Sequence, residues 1–265
     1  MFLGHVMAQA VKELDPDLRV GFFGHEENHE AMKKGEIDLY AEYDGTALHR
    51  YLELGPKPRA DVHRLVQEGE REKWNIEWLE PIGSDNTYGI MVRASLATTL
   101  GLRTIADLAP HAPTLTLAAT ERYLLGHEPL TFAPGSYPGF VETYGFSFGA
   151  TVGTDASYAS PFKAMERGEA DVVADFVVNP FVEELDLVEL IDDRDAFTAY
   201  YLAPIVRGEV LDRLPGLRPL LERMAWKIDS RAMARINYLV DFEGRDPVEL
   251  AAEFLASLDE KVPSG

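Results

Sequence analysis

Along nearly the whole chain the spacing of apolar residues switches between a repeat of about 3.6 residues and a repeat of about two, which restricts the fold to architectures where helices and strands alternate. Leu3, Val6, Met7 and Val11 share one helical face, predicting a helix over 2–14. A strand is expected near Arg19 to Phe23, then a helix over 26–34, a strand over 37–43 and a helix over 61–73. An extended stretch from Trp78 to Val92 precedes helices at 94–100 and just after Thr104. Strands at 114–118, near Thr151 and at 171–176 enclose a helix at 161–167, and the chain is expected to be helical from Glu209 through Trp226 and Met233 and again over 247–258. This order predicts an α/β fold with largely parallel sheets. Two segments, Tyr88 to Arg93 and Phe197 to Arg207, suit crossings between two lobes, which divides the chain into 1–88, 89–200 and 201–265, the first and last sharing a lobe.

Composition narrows the function classes. The formal charge of −20 opposes binding to nucleic acid or an anionic membrane and tolerates cations. Cysteine is absent, which excludes disulfides, thiolate metal sites and thiol catalysis and says nothing of redox compartment. No window approaches about 18 uninterrupted apolar residues, so no spanning helix is expected. The start, MFLGHVMAQAVKEL, has no cationic lead or cleavage-like tail, so no signal peptide is read there: it is mature sequence or a start placed inside the gene.

The stretch GEIDLYAEYDGTA, Gly35 to Ala47, joins a helix end, a strand and a turn. Gly35 is expected to follow its helix with positive φ, and Asp44-Gly45 to end the strand in a turn. Tyr43, Asp44 and Thr46 would then stand at the exposed carboxyl end of a strand, where open α/β sheets bind ligands. Tyr88, Tyr137, Phe176, Tyr200 and Tyr201 also fall at expected strand ends or crossings. A quaternary ammonium donates no hydrogen bond and must be held by π faces and negative potential, so such rings suit a cage; packing in a β-rich core suits them too.

Other motifs are weaker. His25-Glu26-Glu27-Asn28-His29 matches H-E-x-x-H, which on a helix gives two zinc ligands and a general base, yet Gly35 ends that helix early and no third ligand is evident. Gly135-Ser136-Tyr137-Pro138-Gly139 is not a nucleophile elbow, and no phosphate-cradling glycine loop occurs.

Taken together, GEIDLYAEYDGT, WLEPIGSDNTYGIMVR (78–93), TIADLAPHAPTLTLAAT (104–120), YPGFVETYGFSF (137–148), GEADVVADF (168–176), the run from Leu190 through AYYLAPIVR, and MARINYLVDFEGRDPVELAAEFL (233–255) resemble the substrate-binding proteins of glycine betaine, choline and proline betaine ABC importers. The resemblance implies a two-lobed type II periplasmic-binding-protein fold with a hinge crossed twice. It implies a monomeric, non-enzymatic, extracytoplasmic protein of osmoprotection that needs no cofactor and delivers a small quaternary ammonium ligand to a permease. Carried over by position, Tyr43, Tyr88, Phe176 and Tyr200 become cage rings, Thr46 helps bind the ligand's polar end and Asn86 brings its backbone to the ammonium. Asp44, Tyr137 and Tyr201 complete the candidate set.

The departures matter as well. The family's opening strand and its lysine are missing here, and Leu130 to Pro134, where an arginine often stands, holds no cation. A buried carboxylate without a cation costs several kcal/mol, so a head without a carboxylate, such as choline, is favoured slightly over glycine betaine. The rival readings are a zinc hydrolase centred on His25, Glu26 and His29, and a ligand-free sensor or docking module of the same fold.

Overall fold

The computed structural model describes residues 2–12, 14–22, 24–55, 57–126 and 136–259. Two sheets organise the chain. The first takes β1 (Leu39–Tyr43) and β2 (Ile76–Trp78) on either side of β8, which returns late in the chain over Leu202–Arg207. The second runs β5 (Ala150–Thr154), β4 (Thr116–Thr120), β6 (Val172–Phe176), β3 (Tyr88–Arg93), β7 (Leu187–Glu189). Both faces of the first sheet are covered, so its strands are nearly continuously apolar. In β8, Leu202 and Val206 pack with Leu3, Val6 and Met7 of helix α1 (Phe2–Lys12), while Ala203 and Ile205 pack with Val62 and Val66.

The expected largely parallel pairing is corrected. β1 and β2 are both antiparallel to β8, and β3 is antiparallel to β6 and β7; the β4 pairings with β5 and β6 are parallel. The reason lies in the connections. β3 and β8 each enter their sheet from the other lobe rather than through a crossover helix, and so run against their neighbours.

Two local expectations also change. The segment at 19–22 makes one parallel bridge, Val20 to Leu39, instead of a strand, and Phe23 lies outside the described residues. Helix α2 (His25–Lys33) does end as expected, with Gly35 at φ 72° and the Glu36 N–H closing on Ala31 O at 2.8 Å. Asp44-Gly45, however, starts a helical turn, α3 (Asp44–Thr46), that runs on as a π-helix over Ala47–Tyr51. Helix α4 (Arg59–Trp74) then buries Val62, Val66 and Glu70 at helical spacing and stops at Asn75, whose φ of 55° is left-handed.

The passages between the sheets, 79–87 and 190–201, lie just before the strands where the crossings were expected. They pair with each other as a short antiparallel ribbon. Asp85 bridges Tyr201, Asn86 N–H donates to Tyr200 O at 2.9 Å, and Leu202 N–H donates to Ser84 O at 3.1 Å. Thr87 Oγ1 adds a bond to Thr198 O at 2.7 Å, with both threonines buried.

The first sheet is pinned at its edge by Asp38. Its carboxylate accepts from Arg19 N–H at 2.9 Å, from Arg19 Nε at 3.0 Å and from an Arg207 amine at 2.6 Å. Burial by itself would raise this carboxyl, but the bonds from Arg19 and Arg207 outweigh it and hold it well below the ordinary range. A depressed carboxyl contributes stability that is present above its unfolded value and lost as the pH falls. Asp38→Asn is therefore expected to cost about 1 to 3 kcal/mol near neutrality, a cost that begins to shrink below about pH 4 and vanishes only at the much lower pH where the folded carboxyl itself takes up a proton, measured by urea unfolding at each pH. A cost that does not shrink in acid would count against this assignment.

Candidate functional site

The residues at the lobe junction are set by the ends of three strands and by the ribbon. Tyr43 closes β1, and the Asn86 side chain stands near its hydroxyl across the junction. Burial, with Glu42 nearby, pushes its phenol up to about 12, so it stays neutral and presents a ring. Gly45 follows at a point where a Cβ would meet Ala199 O at 2.6 Å and the Tyr200 ring at 2.8 Å. Only glycine lets the turn after β1 come this close to the second crossing, and Tyr200 lies over it. Burial also raises the Tyr200 phenol to about 12.

Asp44 is fully buried rather than at an exposed strand end. One carboxylate oxygen accepts Tyr201 N–H at 2.8 Å, and the other stands 3.6 Å from His63 Nδ1, too far for a hydrogen bond but close enough for charge attraction. Burial raises this carboxyl and His63 pulls it back down. Thr46 is half-buried in the same turn.

On the other side of the junction, Tyr88 opens β3 and Phe176 closes β6, and the two are direct partners in the ladder. Their ring centroids are 4.5 Å apart at 56°, and Tyr88 also stacks on Tyr123 at 5.3 Å and 5°. The remaining two rings turn elsewhere. Tyr137 stacks at 6.0 Å on Phe140, and its hydroxyl accepts Phe148 N–H at 3.0 Å within the second lobe. Tyr201 meets Trp226 edge-on at 5.4 Å, because successive side chains on extended backbone point to opposite sides. The structure thus brings Tyr43 near Asn86, Tyr88 against Phe176, and Tyr200 over the turn at Gly45. Leu130 to Pro134 and Gly135 lie outside the described residues.

Among the described residues, two cavities border these rings. One of about 320 Å³ is lined by Tyr43 with Leu3, Phe22, Asn28, Val178 and Asn237. The other, about 270 Å³, is lined by Tyr88 with Arg59, Glu189, Asp192 and Phe197.

Sequence reasoning missed Arg59, Asp85, Glu42 and Asp175. Arg59, at the start of α4, forms an ion pair with Asp85 in the first crossing and donates to Phe197 O in the second at 3.1 Å. Asp85 Oδ1 in turn accepts Tyr200 N–H at 2.7 Å. Acids beside aromatics at strand ends are a visible signal, but in a chain with 45 acidic residues it carries little weight by itself.

His29 of the H-E-x-x-H run is committed to the core. Its Nε2 meets Glu70 Oε2 at 3.0 Å and its ring stacks on Tyr51 at 3.8 Å, while Glu26 pairs with Arg50 at 2.7 Å. Among the described residues no group of three His, Asp or Glu is arranged to hold a metal, and the side chain of His25 is not among them.

Comparison with known proteins agrees with this architecture. The ergothioneine transport permease/ergothioneine binding protein EgtU of Helicobacter pylori (strain G27) is 26% identical over 230 residues, 87% of this chain and 40% of that protein. The glycine-betaine-binding protein of Pseudomonas aeruginosa is 27% identical over 230 residues, 85% of this chain and 73% of that one. A crystal structure described as a glycine betaine/carnitine/choline ABC transporter superposes with a TM-score of 0.85 at 25% identity, covering 97% of this chain and 93% of that one. The fold is that of type II periplasmic binding proteins, and the family is one of transport rather than of enzymes. Residues 1–257 match the family described as the substrate binding domain of ABC-type glycine betaine transport systems, and the chain belongs to that family.

Proposed function

We propose that this protein captures a quaternary ammonium compound outside the cytoplasm and hands it to the permease of an ABC importer, choline being favoured slightly over glycine betaine. The ligand's methylated nitrogen lies among Tyr43 from one lobe, Tyr88 and Phe176 from the other and Tyr200 from the second crossing, with Thr46 and Asn86 at its polar groups. Asp44 braces the Tyr201 backbone beside the first wall, while the Tyr137 and Tyr201 rings face Phe140 and Trp226 instead of the ligand. The observation that carries the reading is the distribution of rings: Tyr43 and Tyr200 flank one end of the crossing ribbon, while Tyr88 and Phe176 sit as ladder partners at the other. Each desolvated ring face contributes roughly 0.5 to 2 kcal/mol to a cation.

A ligand held by both lobes binds the closed arrangement better than the open one, so affinity and closure are one equilibrium. The preference for choline follows from the segment 130–134, whose sequence has no cation to pair with a betaine carboxylate. Titration calorimetry with choline, glycine betaine, carnitine and ergothioneine tests the reading. Saturable binding is expected, with choline at least as tight as glycine betaine. Silence with all four compounds would refute it, and a clear preference for glycine betaine would refute the choline assignment.

A further inference from the structure

The cavity of about 320 Å³ takes its walls from both sides of the junction. Tyr43 borders it on one side, and Val178, two residues beyond Phe176, borders it on the other, so the cavity adjoins the rings from each lobe. Its size lies within the range of small-molecule sites, about 300 to 1,000 Å³. It equals the volume of about ten waters, which is more than choline would fill. Interiors are otherwise close-packed, so a space of this size beside a cage calls for a reason.

The lining is apolar and uncharged. Leu3, Ala41, Leu202 and Met233 contribute alkyl surface. Apart from the Tyr43 phenol, the polar side chains are two amides, Asn28 and Asn237, and among the described residues that line the cavity none carries a charge. Asn237 donates one amide N–H to Val178 O at 2.8 Å, which fixes it in the wall and leaves a second N–H for another acceptor. One wall is a ring held in place. Phe22 is 48% exposed, yet its ring lies on helix α1 where a Cβ on Gly4 would meet it at 2.8 Å, with the His5 ring against it at 5.3 Å. Glycine inside a helix costs stability, and at position 4 it makes the seat for that ring.

Resting on the binding reading above, we infer that this cavity is a second part of the binding site, taking an uncharged acyl extension on the ammonium compound: a short apolar chain with a carbonyl, as in an ester of choline. The methylated head stays among the cage rings. The chain runs past Ala41 and Leu202 beneath Phe22, and its carbonyl accepts a bond from an amide N–H. Ala41 and Tyr43 stand two apart on β1 and so project to the same face of the sheet, which sets the chain beside the head. A carboxylate in this cavity would lie buried without a counter-ion, whereas an ester carbonyl needs only one donor. Each methylene removed from water there strengthens binding roughly fourfold.

The test is calorimetry on the wild type with choline, acetylcholine, butyrylcholine and choline hemisuccinate, the last ending a chain of similar length in a carboxylate. Affinity is expected to rise along the first three, butyrylcholine binding about tenfold tighter than choline, and the hemisuccinate is expected to bind no tighter than choline. Affinity that stays level or falls as the chain grows would overturn the inference while leaving the ammonium reading intact. A hemisuccinate as tight as butyrylcholine would overturn it as well, because the site would then hold a counter-ion. Silence with choline and with every ester would refute the binding reading and the inference with it. Two variants then locate the chain. Ala41→Leu grows into the cavity beside Tyr43, and Phe22→Ala removes a wall. The ratio of butyrylcholine affinity to choline affinity is expected to fall by about tenfold in the first and about fivefold in the second. A ratio unchanged in both overturns the inference. Phe22 stands outside helix and strand, so its variant carries the test if Ala41→Leu fails to fold.

Discussion

Arg59→Ala is expected to destabilise the protein by about 3 to 5 kcal/mol, the largest effect of any single change outside the apolar core. Asp85 stands in the first crossing with Arg59 on one carboxylate oxygen and Tyr200 N–H on the other. Burial pushes this carboxyl up, and the guanidinium opposes that push. Without Arg59 the buried charge keeps one backbone donor and loses its counter-ion, while Phe197 O loses a partner. Arg59→Lys is expected to recover only part of the loss, because one ammonium is a point charge that does not span the Asp85 carboxylate and Phe197 O as a guanidinium does. Asp85→Asn should cost less than Arg59→Ala, because the partly exposed Arg59 turns to water while Tyr200 N–H keeps an acceptor. Urea unfolding of the three variants gives the ranking. A loss below about 1 kcal/mol for Arg59→Ala would mean that water reaches Asp85 and that the pair is not buried in effect.

The second large effect is on binding. Tyr88→Ala is expected to weaken a quaternary ammonium by about 1 to 3 kcal/mol, that is by roughly fivefold to 150-fold, and Tyr88→Phe by much less. The ring is the part that matters for a methylated cation, and phenylalanine keeps it. Tyr88 is buried, stacked on Tyr123 and packed on Phe176, so alanine also frees Phe176 to tilt into the space left behind. Calorimetry with choline reads the loss directly. Equal losses for alanine and phenylalanine would place the energy in the hydroxyl instead of the ring, against a cage.

What could be read ahead of the structure was whatever a short window of residues decides. The helix over Ala94–Leu100 and the strand ends at Tyr43 and Phe176 follow from apolar spacing and flanking turns. Strand direction was not legible, because nothing within β3 or β8 records from which lobe the chain arrives. Asp44 looked like a surface acid because the groups that make its burial tolerable, His63 and the Tyr201 N–H, are remote in sequence. Tyr200 and Tyr201 looked alike as letters, yet extended backbone sends the first over Gly45 and the second to Trp226. The Arg59 and Asp85 pair was invisible for the reason that hid His63: a charge pair 26 residues apart has no local pattern. The binding family was recognisable because its motifs are spread along the chain and occur in order.

The paired passages between the sheets carry a mechanical consequence. Two strands joined rung by rung, from Ser84 with Leu202 to Thr87 with Thr198, form a strap that flexes across its thickness far more easily than it shears along its length or twists about one edge. By itself such a strap favours one angular movement between the two sheets, like a book on its spine, and the contacts of Asn237 with Val178 and of Phe242 with Phe181 are the ones that movement would load. One distance between dyes placed on the outer faces of the two halves would then suffice to follow the whole movement, and opening and shutting would trace the same path in reverse.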